Sequence, residues 1–116
     1  MPVLNSEFVS TPFWQFNGHL QTIIPNLNRK IEGVDYVRER IDTWDDDFLD
    51  VDWSKVGSKK LVIISHGLAG NSEVGYVKSL AKIVNENKWD ALAWNNRGCS
   101  GTPNKNFYSF HTGKSD

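Results

Sequence analysis

Two short apolar runs, Leu61-Val62-Ile63-Ile64 and Ala91-Leu92-Ala93-Trp94, flank a stretch with helical spacing, and this order restricts the fold more than any other feature. A run with no polar alternation suits a strand buried on both faces. Between the runs lie a small-residue loop, Ser65 to Ser72, and then Val77, Leu80, Ala81 and Val84 at the spacing of one helix face. Ser72 is placed to cap that helix, and Asn85 to Lys88 closes it. Strand, helix and strand in this order make a βαβ unit over 61–95, with parallel strands and a right-handed crossover.

Upstream, Asp35 to Ile41 and Phe48 to Trp53 read as two further strands. In the second, Leu49, Val51 and Trp53 alternate with Asp50 and Asp52, which predicts one buried and one wet face. The link from Asp42 to Asp47 is turn chemistry, so 35–53 is expected to be an antiparallel hairpin. In the N-terminal segment, residues 1–30, Asn17 is placed to cap a short helix carrying Leu20, Ile23 and Ile24, which Pro25 is expected to end. The expected class is α/β, an antiparallel hairpin followed by a parallel βαβ unit.

The chain has 116 residues, the size of one small domain, and 39% hydrophobic residues are enough for a core. A net charge of −1 gives no electrostatic reason to expect nucleic acid or an anionic membrane as partner. No apolar run approaches the ~20 residues that span a bilayer, and no basic-then-apolar secretory signal opens the sequence. The single cysteine, Cys99, rules out an internal disulfide and fits a reducing compartment, so cytoplasm is the default expectation.

The loop His66-Gly67-Leu68 carries the most chemical information, because it follows an apolar strand and precedes a helix. In α/β-hydrolases the loop at this place supplies one of two backbone N–H groups that hold an oxyanion, here the N–H of Leu68. An ordinary strand-to-helix turn explains the local pattern as well. The loop has neither G-x-G-x-x-G nor G-x-x-x-x-G-K-[ST], so nucleotide binding is unsupported. In Gly98-Cys99-Ser100-Gly101 the closing glycine comes one residue too early for a G-x-S-x-G elbow, and Arg97 to Gly101 reads as a structural loop. Cys99 reads as a packed small residue without a basic partner nearby in sequence. His19, His66 and His111 lack metal-ligand spacing, and Ser65 and His66, being adjacent, point to opposite faces. The acidic stretch Asp42, Asp45, Asp46, Asp47, Asp50 and Asp52 lacks the glycine and glutamate of a calcium loop and is expected to be a solvated turn.

Five motifs in order resemble the YheT-type family of α/β-hydrolases over nearly the whole chain. They are Asn17 to Ile23, Asp47 to Trp53, Ser65 to Ser72, Asn96 to Gly101 and Phe110 to Asp116. The resemblance implies a partial α/β-hydrolase fold and hydrolysis of short- to medium-chain acyl esters or lipids by a Ser-Asp-His triad, without metal or organic cofactor. In that family the nucleophilic serine follows a further strand, and the acid and base come later still. None of these positions occurs in the 116 residues, so His66, Gly67 and Leu68 are the only catalytic element the resemblance carries over. Two expectations follow. In the first, the chain is a truncated or split esterase, since it ends inside a family motif at Asp116, and it is inactive alone. In the second, it is a non-enzymatic half-fold that binds a partner. The resemblance also places strand 61–65 centrally in its sheet, so a chain without the next strand is expected to self-associate through that edge.

Overall fold

A computed structural model describes residues 12–28 and 30–106. The first eleven residues and the motif from Phe110 to Asp116 lie outside the described residues. The chain divides into two compact units, Met1–Lys30 and Ile31–Asp116.

In the first unit, α1 spans Gly18–Asn28. The Asn17 side chain accepts the Leu20 N–H at 2.9 Å, the bond of an N-cap to the third helical residue. Pro25 does not end this helix, which continues for three more residues to Asn28. A proline removes its own N–H and crowds the carbonyl four residues back, which weakens a helix, but its fixed φ is helical and the chain can continue through it.

The second unit is a mixed sheet of four strands covered on one face by a helix. Its elements are β1 Val37–Asp42, β2 Phe48–Ser54, β3 Leu61–Ser65, α2 Gly75–Glu86 and β4 Asp90–Trp94. The strand order is β1-β2-β4-β3. β1 and β2 form the expected hairpin, with Arg38 opposite Asp52 and Arg40 opposite Asp50. β2 pairs antiparallel with β4, and β4 pairs parallel with β3, Ile63 standing opposite Leu92. The hairpin therefore joins the βαβ unit directly, in one sheet. The outer edge of β3 has no strand partner among the described residues.

The core lies under α2, whose Val77 and Ala81 pack on Ile64, Ala91 and Ala93. Alanines on β4 let the helix approach the sheet closely. Leu80 is half exposed, so the buried helix face is narrower than its apolar spacing predicts. β3 is not buried on both faces: Ile64 is 5% exposed under the helix, whereas Ile63 on the opposite face is 66% exposed. α2 closes with the Asn85 carbonyl accepting the Lys88 N–H at 2.8 Å and the Val84 carbonyl accepting the Trp89 N–H at 3.1 Å. Lys88 takes the left-handed position of this cap, with φ 59°.

The acidic residues overturn two further expectations. β2 is buried on both faces, not one, because Asp50 and Asp52 are 1% and 2% exposed. Each carboxylate is instead neutralised across the hairpin, Asp52 by Arg38 and Asp50 by Arg40, both through two nitrogens at 2.8 to 2.9 Å. Burial of a charge is tolerable when it is paired and hydrogen-bonded. The acidic stretch is likewise not a solvated turn. Asp42 and Asp46 are exposed, but Asp47 is fully buried and Asp45 partly so, and both hold Arg97.

Candidate functional site

The C-terminal ends of β3 and β4, which run parallel, carry two loops, 66–74 and 95–106. The sequence-predicted residues His66, Gly67 and Leu68 all lie in the first. Gly67 to Gly70 forms a tight turn in which the Gly70 N–H donates to the Gly67 carbonyl at 3.0 Å. Ala69, its third residue, has φ 55°, a left-handed conformation that costs a residue with a Cβ roughly 1–2 kcal/mol. The turn is held in spite of that strain.

His66 explains how. It is buried, and its Nε2 accepts the backbone N–H of Asn96 at 3.1 Å. The ring proton therefore sits on Nδ1, which lies 2.7 Å from the Gly67 carbonyl oxygen and donates to it. That oxygen thus has two donors, His66 and Gly70, while the hydroxyl of Tyr76 accepts the Gly67 N–H. A trans peptide is planar, with its C=O and N–H antiparallel. Fixing the Gly67 carbonyl against His66 and Gly70 therefore turns the N–H of Leu68 the opposite way. No hydrogen bond of that N–H occurs among the described residues, and the Leu68 side chain is 87% exposed.

The glycine this turn needs is Gly70. A Cβ there would stand 3.2 Å from the Gly67 oxygen and 3.3 Å from both Cβ and Nδ1 of His66. At Gly67 the nearest atom would be the Tyr76 hydroxyl at an ordinary 3.4 Å. Gly70→Ala is therefore expected to destabilise the chain by about 1–3 kcal/mol, since the carbonyl it presses on is already held by two donors. Gly67→Ala should stay within about 0.5 kcal/mol. Urea denaturation of both variants checks this, and equal losses would contradict it.

A buried polar network fastens the two loops to the sheet. Ser72 does not cap α2, whose N-cap is Val74 without a side-chain bond. Its hydroxyl donates instead to Asp52, and its N–H donates to the Asn95 side-chain oxygen at 2.8 Å. Asn95, just past β4, donates in turn to Asp52 at 2.8 Å and to the Asp50 carbonyl at 3.1 Å. Asp52 is thus the point where the hairpin, the β3 loop and the β4 loop meet. Burial pushes its carboxyl upward, but Arg38, Ser72 and Asn95 outweigh that and hold it below the usual range.

A second clasp closes the far side of the β4 loop. Asp47 accepts the N–H groups of Phe48 and Lys105 and the Asn104 side-chain amide on one oxygen, at 2.9 to 3.0 Å. Its other oxygen accepts from Arg97 at 3.1 Å and the Asn106 N–H at 3.3 Å. Asp45 takes Arg97 through both oxygens at 2.8 and 2.9 Å. Arg97 and Thr43 hold the Asp45 carboxyl down to about 2. For Asp47, burial acts upward, yet the amide donors around it bring it to about 2 as well. The ordinary value is 3.8. Between these values the unfolded chain binds protons that the folded chain refuses, so these groups stabilise the fold fully above about pH 4. That contribution is lost as pH falls from about 4 to about 2. Urea midpoints taken across this range should drop steadily, and a flat midpoint would contradict the assignment.

Arg97 to Gly101 behaves as a structural loop: Arg97 is 3% exposed in the clasp, and the Ser100 carbonyl accepts from Arg38 at 2.9 Å. Cys99 is partly buried and burial pushes its thiol upward, away from the thiolate. Among the described residues no group of three His, Cys, Asp or Glu side chains comes together to hold a metal ion. Nor is any helix among them long and apolar enough to cross a membrane. Sequence reasoning missed Tyr76 and Asn95, which lie in no motif, and it gave no role to Asn96, which opens the motif Asn96 to Gly101. It also missed Asp52 as an anchor, although Arg38-x-Arg40 facing Asp50-x-Asp52 is a readable pattern of cross-strand pairs.

No family model and no solved structure matches the chain. It is similar to "Putative esterase YheT" of Escherichia coli (strain K12), 31% identical over 104 residues, covering 86% of this chain and 31% of that protein. It is also similar to "Embryogenesis-associated protein EMB8" of Picea glauca, 26% identical over 107 residues, covering 80% of this chain and 23% of that protein. The chain thus spans less than a third of the length of the curated relatives it matches. It has a distant esterase-like relationship.

Proposed function

We propose that this chain supplies the oxyanion-binding part of a serine carboxylic-ester hydrolase of the α/β-hydrolase kind, acting on short- to medium-chain acyl esters or lipids. The observation that carries this reading is the orientation of the peptide between Gly67 and Leu68. His66 and Gly70 hold its carbonyl, and its N–H has no acceptor among the described residues, at the C-terminal ends of parallel strands. Ligands of open α/β sheets are bound at that end. When a serine oxygen adds to an ester carbonyl, the carbonyl oxygen gains negative charge. A fixed N–H aimed at that oxygen stabilises the transition state without any reorganisation. In this reading His66 is the positioning residue, Gly67 its lever and Leu68 the donor.

The sequence contains no G-x-S-x-G, so no serine within it is placed as nucleophile. The purified chain is therefore expected to leave p-nitrophenyl butyrate unhydrolysed above background. It should also remain unlabelled by a fluorophosphonate serine probe, as read by intact mass. Stoichiometric labelling at Ser65 or Ser100 would show that the nucleophile lies here after all. The distant relationship to a protein described as an esterase supports the reaction class. The edge of β3 that has no strand partner among the described residues fits a sheet that continues beyond it, and in isolation that edge is proposed to mediate self-association.

A further inference from the structure

Tyr76 is used by neither the core nor the polar networks, yet its hydroxyl reaches the candidate loop. It stands in the first turn of α2, is 43% exposed, and accepts the N–H of Gly67, the amide immediately before the proposed donor. A phenol oxygen that accepts one hydrogen bond still has its own proton to give. Among the described residues no acceptor takes that proton. Accepting a bond also polarises the O–H, so it donates more strongly than a free phenol. The Leu68 N–H and the Tyr76 O–H are thus two donors that no described residue consumes, the second held at the amide next in sequence to the first.

We propose that Tyr76 is the second oxyanion donor of this loop, giving its phenolic proton to the same substrate oxygen that the Leu68 N–H addresses. The proposal rests on the oxyanion reading of the loop and adds a side-chain donor to it. Its chemical class of ligand is an oxygen that carries negative charge on a tetrahedral centre. A neutral hydroxyl suits that oxygen better than a lysine would, because it stabilises developing charge without trapping a carboxylate product as an ion pair.

The test uses the 116-residue chain labelled with nitrogen-15 and titrated with dibutyl phosphate, a tetrahedral anion with two alkyl arms. The Leu68 amide proton is expected to move downfield as the phosphate binds. Tyr76→Phe should weaken binding about tenfold, the effect of one hydrogen bond to a charged group. Placing 3-fluorotyrosine at position 76 keeps the packing and the hydroxyl but makes its proton more acidic, so binding should tighten severalfold. A hydroxyl that only accepts the Gly67 N–H would not produce that tightening, which separates a donor from a structural role. Equal affinity in all three proteins, with Leu68 still responding, would overturn the role of Tyr76 and leave the loop reading intact. No response at Leu68 in any of them would overturn both. Should Tyr76→Phe fail to fold, the fluorotyrosine comparison decides alone.

Discussion

Asp52→Ala is expected to lose about 3–5 kcal/mol of folding stability, the usual cost of removing one partner from a buried ion pair. The side chain is 2% exposed, and its two oxygens take four donors from three different segments. Alanine would leave the Asn95 amide and the Ser72 hydroxyl buried with no carboxylate to receive them. Each such orphan costs about 1–3 kcal/mol. Arg38 would suffer less, since its side chain is 40% exposed and can turn to water. A domain of this size has only about 5–15 kcal/mol in total, so the variant should lose a large share of its stability. Asp52→Asn separates charge from hydrogen bonding, because it keeps one acceptor oxygen for Ser72 while losing the pairing with Arg38. It should fall between the parent and alanine in urea denaturation. A loss below about 1 kcal/mol for Asp52→Ala would show that the network is not what fastens the loops.

The same network shows what could be read from the residues and what could not. Leu61 to Ile64, the helical spacing after Ser72 and the apolar run at Ala91 were enough to place β3, α2 and β4, because burial periodicity is a local property. The hairpin was legible for the same reason. Burial of both faces of β2 was not, since Asp50 and Asp52 have the appearance of a wet face until their arginine partners are set opposite them. Knowing that needs the register, which the loop of 43–47 fixes only in three dimensions. Ser72 misled in a comparable way. Its hydroxyl had two possible uses, and the nearby carboxylate of Asp52 outcompeted the helix terminus. Pro25 misled because breaking one backbone bond is not the same as ending a helix. At the candidate site, His66, Gly67 and Leu68 were visible as a motif. The contacts that hold them were not, because Asn96 and Tyr76 reach the turn through tertiary contacts and Gly70 acts by a close approach within the turn itself.

The second large effect is expected from Leu68→Pro. Leu68 is the second residue of the 67–70 turn, and Ala69, the third, is left-handed at φ 55°. That is the pattern of a type II turn, whose second position favours proline. The substitution therefore deletes the proposed donor N–H while preserving the backbone that carries it. The most direct measurement uses a hybrid in which this chain replaces the stretch it matches in the Escherichia coli relative, with the rest of that protein kept as it is. In an esterase-active hybrid, Leu68→Pro should lower kcat by about 10²- to 10³-fold, the usual effect of losing one oxyanion donor. KM should change little, because the bond strengthens only as charge develops. Leu68→Ala, which retains the N–H, should keep kcat within about threefold of the parent. A proline variant with unchanged kcat would contradict the account, because the Leu68 N–H could then be no oxyanion donor.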